Sequence, residues 1–254
     1  MTASDISRFA PRFSFAIATI IAAAVAAPAF AQDTSGNPSR EGTHNEFAKR
    51  SSGSIAFIQA RPIGALARNI GFGYGGNGTY LFRLDREGYL SLRGDLGFAI
   101  YGTESERVPL SSTIGGRIQV RVSTDNYVVP FTIGPQLMYP KGSVRPYVNA
   151  GFGGQVFYTQ SKVNGDDDSF DFASTTNQSD ATHTWVVGGG LLIPVYEGRT
   201  RVRIDLGAQY YTGGHAQYLR PGSIEDLPNS QIKINTLESD THMLLVRLGV
   251  NIGV

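Results

Sequence analysis

Residues 241–254 read THMLLVRLGVNIGV, and from Leu244 the stretch alternates without a break. Leu244, Val246, Leu248, Val250, Ile252 and Val254 share one parity. Leu245, Arg247, Gly249, Asn251 and Gly253 share the other. Successive side chains of a strand point to opposite faces, so one face is continuous bulky hydrocarbon and the other is small or polar. The chain is expected to end inside this strand.

The same two-sided pattern recurs upstream. A first segment at about 54–65 has no clear phase. A second, at about 70–84, sets Ile70, Phe72, Tyr74, Tyr80, Phe82 and Leu84 against Gly71, Gly73, Gly75, Asn77, Thr79 and Arg83. A third, 89–101, sets Leu90, Leu92, Leu96, Phe98 and Ile100 against Arg93, Asp95, Gly97 and Ala99. The fourth, 127–139, shows Val129, Phe131, Ile133 and Leu137 against Thr132, Gly134 and Gln136. The fifth, 144–163, sets Val148, Ala150, Phe152 and Val156 against Arg145, Asn149, Gly151 and Gln155. In the sixth, Trp185, Val187, Leu191, Ile193 and Val195 oppose Val186, Gly188, Gly190 and Leu192. In the seventh, Val202, Ile204, Leu206, Ala208 and Tyr210 oppose Arg201, Arg203, Asp205, Gly207 and Gln209.

The connections alternate too. Short turns at 85–88, 140–143 and 196–199 interleave with long polar stretches at 102–126, 164–182 and 219–240. Short turns on one side and long loops on the other are the pattern of a transmembrane β-barrel. The fold expected is therefore all-β, an antiparallel up-and-down barrel of eight strands over 53–254, with both chain ends on one side. Ile118, Val120 and Val122 alternate inside the first polar stretch. A strand extending into it is expected, and an extra hairpin there would raise the count to ten. The phase shifts before Val129, which predicts a turn or bulge in 123–126.

A soluble ligand-binding barrel also alternates, with its apolar face inward. The charged residues discriminate. Arg83, Arg93, Asp95, Arg145, Arg201, Arg203, Asp205 and Arg247 all share the phase of the glycines. Glycines beside arginines suit a crowded lumen. The opposite face is bulky and uncharged through the strand centres, as contact with lipid requires. Tyr139, Tyr158, Trp185, Tyr196 and Tyr210 fall near strand ends, where interfacial aromatic girdles form. Within the lumen, Arg83, Arg93, Asp95, Arg145, Arg203, Asp205 and Arg247 are the expected polar network. Asp95 and Asp205 are expected to pair with some of the arginines, plugging the barrel.

The amino terminus predicts export. Arg8 and Arg12 precede an uncharged run, 13–27, and Ala29-Phe30-Ala31 has the small-x-small form of a cleavage site. The run is too short for a transmembrane helix. Cleavage is expected between Ala31 and Gln32, leaving a polar, flexible periplasmic segment at 32–52. Removing 1–31 leaves acidic and basic side chains in balance, which argues against a nucleic-acid partner. The chain has no cysteine, hence no disulfides, thiolate nucleophile or zinc-thiolate site.

One stretch carries a family resemblance. Residues 144–151 read VRPYVNAG after a tight turn. With the glycine-rich alternating strands and the strand-final carboxyl end, this resembles the small outer-membrane β-barrel family of the OmpA transmembrane-domain and opacity-protein type. The resemblance covers about 54–254. It implies eight strands, no cofactor, a bacterial outer-membrane location, insertion by the barrel-assembly machinery, and structural, adhesive or small-solute roles. The chain departs from the family in ending on Val254 where an aromatic residue is usual.

No P-loop, GxSxG, HExxH or EF-hand pattern is present. His44, His183, His215 and His242 lack metal-ligand spacing. His242 with Ser239, and His183 with Ser179, are the nearest approaches to the His–Ser pairs of lipid-A-editing barrels. Neither makes a triad. Asp166, Asp167, Asp168 and Asp171 form an acidic loop tip whose spacing matches no known calcium loop. The sequence thus points to a non-enzymatic outer-membrane barrel, in contact with outer-membrane lipid, with its long loops offered to an extracellular partner. A narrow solute channel is the alternative, ahead of a lipid-A-editing enzyme or a soluble ligand-binding barrel.

Overall fold

The computed structural model describes residues 50–109, 119–165, 171–198, 200–227 and 231–253. The signal peptide expected at 1–31, most of the 32–52 segment, Asp166 to Asp168 and Val254 lie outside them. Eight long strands form the wall: β1 (Ser51–Pro62), β2 (Gly73–Arg83), β3 (Leu90–Pro109), β4 (Gln119–Met138), β5 (Arg145–Gly165), β6 (Asp171–Glu197), β7 (Arg201–Gly213) and β12 (Met243–Gly253). Four short strands fill the connection before β12: β8 (His215–Tyr218), β9 (Ile224–Leu227), β10 (Gln231–Ile234) and β11 (Leu237–Asp240). The wall closes in the order β1-β12-β7-β6-β5-β4-β3-β2, every pairing antiparallel. The first strand opens at Ser51, two residues ahead of the expected boundary.

Closure follows from the alternation. In β12 the odd residues, from Leu245 to Gly253, point inward and are buried, while Val246, Leu248, Val250 and Ile252 are exposed on the outer face. β1, whose phase is ambiguous in sequence, turns Ser54, Ala56, Ile58 and Ala60 inward and leaves Ile55 80% and Phe57 58% exposed. The outward positions of β12, of β7 and of β6 from Trp185 to Val195 hold no Asp, Glu, Lys or Arg. Tyr139 and Tyr196 stand exposed at the short-turn end and Trp185 at the other, while Tyr158 and Tyr210 are only half-exposed.

Four expectations change. Ile70 is 8% exposed and faces the interior with Leu66, not outward with Phe72. A 3-10 turn at Leu66–Arg68 interrupts the chain, so strand alternation begins only at Gly73. The polar stretches 102–126 and 164–182 are largely strand, of which only the extension around 120–122 was expected. Pairing continues from Gly102↔Asn126 to Pro109↔Gln119, from Thr159↔Asn126 to Gly165↔Val120, and between the ends of β5 and β6. β3 to β6 thus rise beyond the rim as a four-stranded sheet, roughly 25 Å tall at about 3.3 Å per residue. No extra hairpin forms at 119–122, so among the described residues the wall has eight strands. Nor does β4 turn at 123–126. The register slips on the opposite strand, between Ile100 and Gly102, where Tyr101 is the additional residue.

The stretch 219–240 is the fourth correction. It begins as a lid. Tyr218 and Leu219 are each 1% exposed, in the barrel mouth. The Tyr101 hydroxyl donates to the Leu219 carbonyl at 3.0 Å, and Asn69 Nδ2 donates to the Tyr218 hydroxyl at 2.7 Å. The Asp180 carboxylate accepts from the Gln217 backbone N–H, tying β8 to β6.

Candidate functional site

The interior is layered. Toward the loop end Ile58, Tyr101, Phe157, Tyr211, Tyr218 and Leu245 pack into one buried cluster under the lid, beside the buried pairs Thr159–Asn126 and Gln155–Thr184. Tyr101 meets Phe157 edge-on at 6.1 Å, and Phe157 meets Tyr218 at 5.7 Å. Beneath this layer lies a charged one.

Arg93, Asp95, Asp205 and Arg247 lie together there, none more than 6% exposed. Arg93 grips Asp95 with two bonds, Nε to Oδ2 at 2.5 Å and Nη2 to Oδ1 at 2.8 Å, and gives Nη1 to Gln136 at 2.7 Å. Arg247 spans both acids. Its Nη2 donates to Asp205 Oδ2, and its Nη1 reaches Asp95 Oδ1 at 3.4 Å and Thr79 Oγ1 at 3.1 Å. Thr79 donates to Asp95 at 2.7 Å, Gln209 adds a longer contact at 3.3 Å, and the Tyr147 hydroxyl donates to Asp205 Oδ1 at 2.8 Å. The guanidinium carbons of Arg93 and Arg247 lie over the Tyr147 ring, 5.6 and 5.9 Å from its centre. Two arginines and two aspartates balance, so a buried ionic layer is tolerated because each charge has charged and neutral partners.

The wall makes room for it. A Cβ at Gly207 would stand 2.5 Å from the Tyr147 hydroxyl and 3.1 Å from Arg247 Nε. Glycine there lets the tyrosine cross the lumen.

The remaining arginines lie nearer the short turns. Arg145 pairs with Glu197 at 2.5 Å and with neither aspartate of the central layer. Arg203, 6% exposed, and Arg83 line the lumen mouth beside it. Tyr147, Thr79, Gln136 and Gln209 are members of the layer that charge alone did not single out. Each shares the inward parity of its strand, which was the signal available.

The histidine pairs do not assemble. Ser239 Oγ shares a hydrogen bond with the Tyr218 hydroxyl at 2.8 Å, and His242 Nδ1 has no partner among the described residues. Ser179 and His183 stand four residues apart on one strand, roughly 13 Å by strand rise. Among the described residues no group of His, Cys, Asp and Glu is placed to hold a metal ion.

No protein-family model matches the chain, and no curated protein matches it. Among solved structures it is similar to Neisserial surface protein A, at 14% identity and TM-score 0.40, over 80% of this chain and 97% of the other. It is similar also to Ail, the attachment invasion locus protein of Yersinia pestis, at 16% identity and TM-score 0.40, over 80% and 96%. A third is a major outer membrane protein from Thermus thermophilus, at 13% identity and TM-score 0.37, over 79% and 98%.

Proposed function

We propose that this chain is an exported, non-enzymatic outer-membrane β-barrel protein that presents its rim sheet and loops to a partner outside the cell. One observation carries the membrane reading: the uncovered outer face. Trp185, Val187, Val148 and Leu248 are each 56–62% exposed, and the outward positions of β12, of β7 and of β6 from Trp185 to Val195 hold no charged side chain. Soluble proteins rarely leave so large an apolar band uncovered. In hydrocarbon it is stable, and the closed ring pairs the wall's backbone groups.

The filled interior supports a structural or presenting role over a channel. A solute would have to pass both the aromatic layer under the lid and the Arg–Asp layer below it. Residues 1–31 would direct export and be cleaved after Ala31, with insertion by the barrel-assembly machinery.

Fractionation of expressing cells, followed by electrophoresis of unheated and boiled samples, tests the reading. The expected result is an outer-membrane band that runs fast unheated and slows on boiling. Recovery in the soluble fraction without a heat-dependent shift would overturn it.

A further inference from the structure

Below the Arg–Asp layer the lumen opens toward the short turns as a vestibule of about 200 Å³. Arg83, Arg145, Arg201 and Arg203 line it, with Glu87 the one acid among the described lining residues, and Gln136 lies in its wall, bonded to Arg93. Glu197 engages Arg145 through Nη2. The Asp85 carboxylate, in the turn beside Arg83, is taken up by the backbone N–H groups of Tyr89 and Leu90 at 2.8 and 2.9 Å. Among the described lining residues arginine thus outnumbers acid, in contrast to the balanced layer above.

Two guanidinium nitrogens there lack acceptors. Arg203 is more than nine-tenths buried, and its Nε has no hydrogen-bond partner among the described residues. Arg145 Nε, on the neighbouring wall, has none either. A buried guanidinium donor without an acceptor is costly. Like charges gathered in a concave, partly dry site attract counter-anions strongly. Planar guanidinium forks match the oxygens of phosphoryl groups in particular.

We propose that this vestibule is a binding site for a small phosphate-type oxyanion carrying two or more negative charges, with Arg203 and Arg145 as its principal ligands. The space admits one or two phosphoryl groups and closes on Gln136, so the ligand enters and leaves by the same mouth. The site stands whichever solvent meets the outer face of the barrel.

Calorimetric titration of the purified, detergent-folded chain at fixed ionic strength tests this. Inorganic pyrophosphate and glycerol 3-phosphate are the probes. Saturable binding near one per barrel is expected, weakened about tenfold or more by Arg203→Gln or Arg145→Gln. It should be unchanged by Arg220→Gln at the opposite end. Binding of pyrophosphate alone marks a site for a free di- or polyphosphate. Binding of glycerol 3-phosphate as well admits an organic phosphomonoester. No saturable binding of either probe, or equal affinity in the Arg203 and Arg145 variants and the native chain, would overturn the assignment. The gel shift on boiling reports whether each variant folds. If Arg203→Gln does not, Arg145→Gln, nearer the mouth, decides.

Discussion

The Tyr147 hydroxyl donates to Asp205 Oδ1 at 2.8 Å while Arg247 donates to the other oxygen of the same carboxylate. One neutral and one charged donor thus hold a single buried anion from two sides. Removing either has a different cost. Tyr147→Phe loses one hydrogen bond and should lower stability by about 1–3 kcal/mol. Asp205→Ala takes from Arg247 its shorter carboxylate contact, leaving the 3.4 Å one to Asp95 and a net positive layer, and should cost about 3–5 kcal/mol. Urea unfolding of the folded barrel in detergent, followed by tryptophan fluorescence, measures both. Equal midpoints for the two variants would show that the layer does not carry charge as described.

Gly207 and Tyr147 should behave as a coupled pair. Gly207→Ala places a methyl 2.5 Å from the tyrosine hydroxyl, and with Tyr147→Phe the nearest remaining atom is Arg247 Nε at 3.1 Å. The double variant is therefore expected to be less destabilised than the sum of the single ones, by about 0.5–3 kcal/mol. Additive losses in a double-mutant cycle would remove the steric explanation.

Leu248 lies mid-strand on the outer face, paired with Phe57 on one side and Leu206 on the other. In lipid, Leu248→Arg should cost about 2–4 kcal/mol. The same change at a water-facing position would cost little. Unfolding in phospholipid vesicles separates the two, and a neutral result would place that face in water.

Asp85 predicts an acid-sensitive turn. Its slight burial favours the neutral acid, but the backbone N–H groups of Leu90 and Tyr89 outweigh this and hold the carboxyl below its ordinary value. A carboxyl so lowered stabilises the fold above its unfolded pKa, and that contribution is lost as pH falls through the folded one. The native chain should therefore be more stable than Asp85→Asn at neutral pH, and the difference should shrink below about pH 4. Unfolding midpoints across pH 3–7 check this. A difference independent of pH would exclude the ionised cap.

Much of this was legible in the residues, and for a definite reason. In β12 every inward position and every outward one follows from parity, because a closed sheet gives each strand two unlike solvents. Arg93, Asp95, Asp205 and Arg247 could be set on one face by the same rule. Which of them touch could not, since partners such as Arg247 and Asp95 meet across the lumen and not along a strand. Ile70 misled because a short apolar turn can imitate strand phase for one residue. The rim strands were only partly legible: Val120 and Val122 kept an apolar period in β4, but elsewhere in the rim Ser, Thr and Gln pair their backbones as well as Val does and carry no such period. The lid formed by Tyr218 and Leu219 had no periodic signal at all.

The wall above the rim rises from four adjacent strands, β3 to β6, while β1, β2, β7 and β12 stop near the mouth. A barrel is nearly symmetric about its axis, but this one is not. In a bilayer it would have a heading: a broad vane on one side and a low lid on the other. A large body approaching along the surface would meet either the vane's concave face or its back. Capture would then depend on the molecule's rotation about the membrane normal as well as on its being present.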